Sequence, residues 1–278
     1  MSFKDILLPL VGEPTEQAVA AIEKCVAVAS GLSARVEALA VEEDIAVRPK
    51  VISPVRDGGV TEDTRSSSNV RGLLRAFDDF AVRFGLRHEN SRWQAAGADV
   101  PRLIARHARL KDLSFVPVKA DDSQTETIVE CLLFESGRPV LLCPEELAAD
   151  LPVAFDDISI AWDHSAPAAT AVADALPWLR SARTVRIMTA TDERTDEEQR
   201  SGAALVDHLA EHGITASFET VKIDGSSIGK VFEAHVRSRR ADLLVMGAYR
   251  HSRLNEIIWG GATKTVIGRP PCWTIMSR

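Results

Sequence analysis

The chain repeats itself, and that repeat limits the architectures open to it more than any other feature. Asp5-Ile-Leu-Leu-Pro-Leu resembles Asp157-Ile-Ser-Ile-Ala-Trp, and Lys111-Asp-Leu-Ser-Phe-Val-Pro resembles Ala241-Asp-Leu-Leu-Val-Met-Gly. Gly137-Arg-Pro leads into Val140-Leu-Leu-Cys, as Gly268-Arg-Pro leads into Pro271-Cys-Trp-Thr-Ile-Met. Asp112 and Asp242 are 130 residues apart, and Gly137 and Gly268 are 131 apart. Two landmarks that share nearly one offset point to duplication. The openings, Asp5 and Asp157, are 152 apart, so the first copy is longer by 22 residues.

A length of 278 residues accommodates two domains, each large enough to bury a core. The expected division is 1–148 and 154–278. The excess of the first copy falls in 42–68, which holds Pro49, Pro54, Gly58, Gly59 and the run Ser66, Ser67, Ser68. Such a segment has little apolar area to offset the entropy of ordering it, and it reads as a long surface loop.

Hydrophobic periodicity gives both copies the same alternation of elements. In the first, strands are predicted over 3–10, 35–41, 89–94, 113–118 and 140–143. Helices are predicted over 15–30, 70–84, 100–109 and 125–135. Ala18, Ile22, Val26 and Ala29 make one apolar stripe in the first helix. In the second copy strands fall over 158–162, 185–189, 217–223, 243–246 and 272–276. Its helices fall over 167–179, 197–211, 227–239 and 261–267, the first with a kink at Pro177. Strands that alternate with helices of this length make βαβ units. The expected fold is α/β, with two tandem Rossmann-like domains. Each would be a mainly parallel five-stranded sheet with helices on both faces. Ligands in such sheets bind beyond the carboxyl ends of the strands, where the strand order reverses.

Charge narrows the partners. The 33 Lys and Arg against 40 Asp and Glu leave a net charge of −7, with no global attraction for nucleic acid. No apolar run is long enough for a transmembrane helix, and the first ten residues lack a signal-peptide pattern, so a cytoplasmic protein without membrane contact is expected. Cys25, Cys131, Cys143 and Cys272 are far apart and sit in apolar patterns, as buried reduced thiols do.

The strongest local signal runs Met246-Gly-Ala-Tyr-Arg-His-Ser-Arg-Leu-Asn-Glu-Ile-Ile-Trp-Gly-Gly-Ala-Thr. A buried strand ends before Gly247, a polar loop follows, and a helix starts at Gly260 and Gly261. Glycines let backbone N–H groups approach phosphate oxygens, and a helix amino end adds unpaired donors. Arg250, His251, Arg253 and Lys264 bring positive charge nearby. An ordinary glycine turn with surface charges is the alternative reading of the same residues.

This stretch resembles the universal stress protein family. Its nucleotide-binding members carry glycine, two residues, glycine, nine residues, glycine, then serine or threonine. Gly247 and Gly260 match the first and third glycines. Arg250 stands at the second, and Gly261 stands at the hydroxyl residue, with Thr263 two positions later. The likeness covers nearly all of 157–276 and, more faintly, 3–143. It implies a tandem stress-response protein that binds ATP or another adenine nucleotide, with magnesium, in its second copy. Gly247, Arg250, His251, Gly260, Gly261 and Thr263 would surround the phosphates. Asp163, just after the first strand of that copy, would accept hydrogen bonds from the base or ribose; the alternative for Asp163 is a turn carboxylate before Pro167. The departures at Arg250 and Gly261 imply weakened or altered binding, with the Arg250 side chain either contacting a phosphate or filling the pocket and excluding ATP. Val11 and Pro117 occupy the places of Asp163 and Gly247 in the first copy, which therefore should not bind nucleotide in this manner.

No catalytic constellation and no metal site is expected. His208, Glu211 and His212 have the spacing of an inverted zinc-peptidase motif, but a third protein ligand is lacking and a polar helix face explains them. Two other classes stay open: an interaction scaffold without nucleotide, and an enzyme for a small phosphorylated metabolite. The last strand of each copy resembles the family's pairing edge, which implies an intramolecular pseudo-dimer and leaves whole-chain homodimerisation open.

Overall fold

The computed structural model describes residues 3–43, 62–192, 195–248 and 261–278. The first half runs β1 (Asp5–Leu10), α1 (Glu16–Gly31), β2 (Arg35–Glu43), α2 (Glu62–Arg83), β3 (Arg87–Ala95), α3 (Val100–Ala108), β4 (Leu113–Val118), α4 (Ser123–Glu135) and β5 (Val140–Pro144). The second runs β6 (Asp157–Ala161), α5 (Ala166–Leu179), β7 (Thr184–Ala190), α6 (Asp196–Glu211), β8 (Ala216–Val221), α7 (Ile228–Arg239), β9 (Leu243–Gly247), α8 (Gly261–Gly268) and β10 (Trp273–Ser277). Among the described residues no helix is long and apolar enough to cross a membrane.

Side-chain caps start the helices where the sequence supplies them. Thr15 accepts a hydrogen bond from the Ala18 N–H, and Ser165 accepts one from Ala168. Thr195 and Glu198 form a reciprocal capping box at α6. The expected loop over 42–68 ends earlier than its composition suggests, because α2 begins at Glu62. Val70, Leu73, Leu74 and Phe77 bury one face of that helix, and this anchored stripe carries the polar turns before it. Residues 44–61 lie outside the described set.

Each half keeps its five strands parallel, yet the expectation of two separate five-stranded sheets is overturned. There is one mixed ten-stranded sheet, in the order β3-β2-β1-β4-β5-β10-β9-β6-β7-β8. The join is the antiparallel pair β5 and β10, with Leu142 opposite Thr274, Leu141 opposite Ile275 and Val140 opposite Met276. Both strands are buried along their whole length. A separate sheet would leave each of them as an apolar edge with unpaired N–H and C=O groups, and pairing removes both liabilities.

Packing continues across the join. One face of the sheet is covered by α1, α2, α5 and α6 over a single core cluster drawn from both halves. The other is covered by α3, α4, α7 and α8. Trp273 is fully buried against Phe115 and Phe155, with ring centroids 6.3 and 5.9 Å away. Its indole N–H donates to the Pro152 carbonyl at 2.9 Å. Lys24 on α1 donates to the Leu151 carbonyl at 2.6 Å, so both halves hold the linking segment. All four cysteines are buried free thiols.

Candidate functional site

The chain order within the second half creates a crevice. From β6 the sheet grows outward through β7 to β8, then returns to β9 on the opposite side of β6. The strand order therefore reverses between β6 and β9, and the loops leaving their carboxyl ends diverge there. Asp163 follows β6 and Gly247 closes β9, so two of the expected site residues stand on the two strands flanking the reversal.

Asp163 is exposed. Its Oδ1 accepts a hydrogen bond from the Ser165 N–H at 3.0 Å, which makes it a turn carboxylate ahead of α5. His164 between them takes a left-handed backbone, with φ of 59°. A carboxylate has lone pairs beyond this one bond, so the turn contact and a ligand contact are compatible. The neighbouring strand end is tied down: the Thr189 hydroxyl donates to the Trp162 carbonyl at 2.8 Å, and the Trp162 N–H donates to Met188 at 2.8 Å.

Gly247 has a packing reason as well as the expected ligand reason. A Cβ there would lie 2.4 Å from the Ala168 nitrogen and 2.6 Å from the Pro167 carbonyl carbon. The first turn of α5 rests directly on the glycine, and any side chain would push the helix off the sheet. The sequence pattern identified the glycine; the contact that requires it comes from a segment about 80 residues away.

Gly261 opens α8, and among the described residues no atom lies within 4 Å of where its Cβ would stand. The first N–H groups of a helix lack intrahelical partners, so this end can present donors to an anion. Thr263, one of the expected phosphate contacts, is buried, while Lys264 beside it is exposed. Thr265 instead uses its hydroxyl within the helix, donating to the Gly261 carbonyl at 2.7 Å. Arg250, His251 and Gly260 lie outside the described residues.

Sequence reasoning missed the polar frame around this end. Asp192 after β7 accepts from the Asp224 N–H at 2.8 Å, and Asp224 is left-handed with φ of 48°. These turns join the loops after β7 and β8, and only the local Asp and Gly content of 224–225 signalled them. Arg180 at the end of α5 lies with its guanidinium 3.2 Å from Nδ1 of His212 at the end of α6, and the His208 and His212 rings meet edge-on with centroids 4.9 Å apart.

In the first half the same reversal lies between β1 and β4. Val11 and Pro117 stand there, with Leu10, Ile22, Leu73 and Val116 around a cavity of about 20 Å³. Glu145 borders it, and burial raises its carboxyl above the usual range, with Lys119 opposing that shift. This crevice is narrow, and most of the side chains around it are apolar.

Residues 155–278 match the model of the universal stress protein family. A universal stress protein from Archaeoglobus fulgidus DSM 4304 shares the fold with a TM-score of 0.69 at 15% identity, over 99% of this chain and 96% of its own. A protein of unknown function from Pseudomonas aeruginosa PAO1 gives 0.64 at 14% identity, over 99% and 92%. The cytoplasmic domain of a prokaryotic cation chloride cotransporter gives 0.51 at 11% identity, over 99% and 96%. No curated protein matches the sequence. These likenesses run through both halves, so the first half shares the doubled fold although the family model reaches only the second.

Proposed function

From the match of residues 155–278 to the universal stress protein family model, we propose that the chain is a stress-associated protein whose second half binds an adenine nucleotide. The supporting observation is the β6–β9 reversal, which has Asp163 on one side and the amino end of α8 at Gly261 on the other. Asp163 accepts hydrogen bonds from the ribose or base. The N–H groups of α8 and the Lys264 ammonium meet the phosphates, whose remaining charge a magnesium ion would offset. Gly261 supplies an N–H where a serine or threonine would add a hydroxyl, so the affinity is modest.

Calorimetry on the full chain with ATP, ADP, AMP and cyclic AMP tests the reading. At least one should bind, and Asp163→Ala should weaken it about tenfold, roughly 1.4 kcal/mol. Silence from all four at millimolar concentration would remove the reading.

A second reading has its own support. Packing alone explains Gly247, and a turn alone explains Asp163. The same doubled fold also occurs as the cytoplasmic domain of a transporter. On this reading the chain is a scaffold that binds protein through the fold and takes no nucleotide. The same calorimetric silence, with the protein still folded, would favour it.

A further inference from the structure

The antiparallel join brings the carboxyl ends of β4 and β5 against the amino ends of β9 and β10. At that meeting lies a cavity of about 450 Å³, within the size range of small-molecule sites. Its apolar walls come from both halves: Val118, Pro144 and Leu147 from the first, and Val236, Pro271 and Cys272 from the second. Pro144, Pro270 and Pro271 carry no N–H, so this wall presents carbon and carbonyl groups with few donors.

The charged groups on the cavity are unequal. Arg237 donates to Glu233 at 2.6 Å, and Arg269 donates to Asp121 at 3.2 Å. The Arg240 guanidinium has no partner among the described residues, nor has the Glu146 carboxylate on the opposite half. Arg240 also follows α7 in a left-handed conformation, with φ of 50° and ψ of 46°. Glycine adopts that backbone freely, whereas a β-carbon strains it. The chain thus keeps an arginine where the backbone favours glycine, and that arginine lines the cavity without a counter-ion. The carbonyls at the end of α7 carry partial negative charge, which Arg237 and Arg239 offset within the last helical turn. Arg240 lies beyond that turn.

We propose that this cavity is a second ligand site, separate from the nucleotide crevice. It takes a small organic molecule with one negative charge and an apolar body, such as a medium-chain carboxylate. The anion pairs with Arg240, and the body fills the space between Leu147, Val236 and the prolines. Glu146 disfavours a second negative charge. Because both halves build the walls, occupancy clamps the join. The site does not depend on the nucleotide reading, since the β6–β9 reversal contributes nothing to it.

Anilinonaphthalene sulfonate, a fluorescent monoanion with an apolar body, is a suitable probe for the full chain. It should bind saturably and be displaced by decanoate, but not by decylamine or ATP. Arg240→Gly removes the cation and relaxes the backbone, so it should keep or raise Tm while weakening the probe at least about fivefold. Arg240→Lys should retain most of the affinity, and Leu147→Trp should abolish binding by filling the cavity. Equal binding to wild type, Arg240→Gly and Leu147→Trp would overturn the site. So would displacement by ATP, which would put the probe in the nucleotide crevice. Decyl phosphate displacing more strongly than decanoate would overturn the preference for a single charge.

Discussion

At the reversal of strand order, the first half presents Val11 and Pro117 beside a cavity of about 20 Å³, and the second presents Asp163 and Gly247 near the amino end of α8. The sheets behind them have the same strand order and the same parallel sense. The halves also differ at the opposite, amino ends of their strands. In the first, Lys111 is almost fully buried and reaches Asp5 at 3.1 Å and Glu37 at 2.8 Å. In the second, Ala241 takes the place of Lys111, and Asp157 is held instead by Arg183 and by Arg186 at 3.4 Å. One copy lines its crevice mainly with apolar side chains and adds a buried lysine to the charge cluster around Asp5. The other keeps a polar crevice and pairs its aspartate with more exposed arginines. A duplicated fold tolerates this because the parallel sheet supplies the framework, and the loop ends and flanking charges can then change separately.

The charge cluster offers the largest way to break the comparison. Lys111→Ala removes the buried cation shared by Asp5 and Glu37, leaving Asp5 only its pair with Arg35, and should cost about 3 kcal/mol in urea unfolding. Lys111→Met refills the volume yet should recover only part of that loss. A loss under about 1 kcal/mol would mean that solvent already neutralises the cluster.

The glycine position sharpens the comparison next. Gly247→Ala puts a Cβ against the backbone of α5 and should cost about 2 kcal/mol, read as a lowered Tm. Pro117→Ala at the matching place should cost under about 1 kcal/mol. Similar losses at the two sites would refute the account of α5 resting on Gly247.

The smallest effect concerns acid. Burial works against ionisation of Asp5, but hydrogen bonds from Arg35 and Lys111 outweigh it and hold the carboxyl below its ordinary 3.8. Burial likewise opposes ionisation of Glu37, and hydrogen bonds from Lys111 and Ser91 bring it below its ordinary 4.5. Groups depressed in the folded state stabilise it above their unfolded values, and that stability is lost as pH falls through the folded values. Urea midpoints taken between about pH 6 and pH 3 should therefore fall in wild type. The fall should be shallower in Lys111→Met, since the lysine is a source of both depressions. Parallel curves would assign the acid sensitivity elsewhere.

The order of elements was legible because its signals are local. The stripe of Ala18, Ile22, Val26 and Ala29 is buried as its spacing required, and β4 falls on the predicted residues 113–118. The early start of α2 was not legible. Its first turns are polar and rich in serine, and the apolar face that anchors them comes only afterwards. The site was half legible. Asp163 and Gly247 could be named from the motif, but the approach of α5 to Gly247 depends on where a distant helix packs. The last strand of each copy is expected from the resemblance to be the pairing edge, but the merging of the two sheets into one is not, although a clue was present. Val140-Leu-Leu-Cys and Trp273-Thr-Ile-Met are too apolar for exposed edges, and a strand of that kind must be covered by something.

What the sequence determined by itself was the doubled α/β plan, since apolar period and turn residues act within a few positions of each other. What only the tertiary structure decided was how the copies meet. Backbone hydrogen bonds between strands are blind to side-chain identity, so the resemblance named the pairing strands but not the register that sets Leu141 opposite Ile275 in one continuous sheet. That pairing follows from the cost of leaving two buried edges unpaired, and it creates the cavity beside Arg240 that neither copy could form alone.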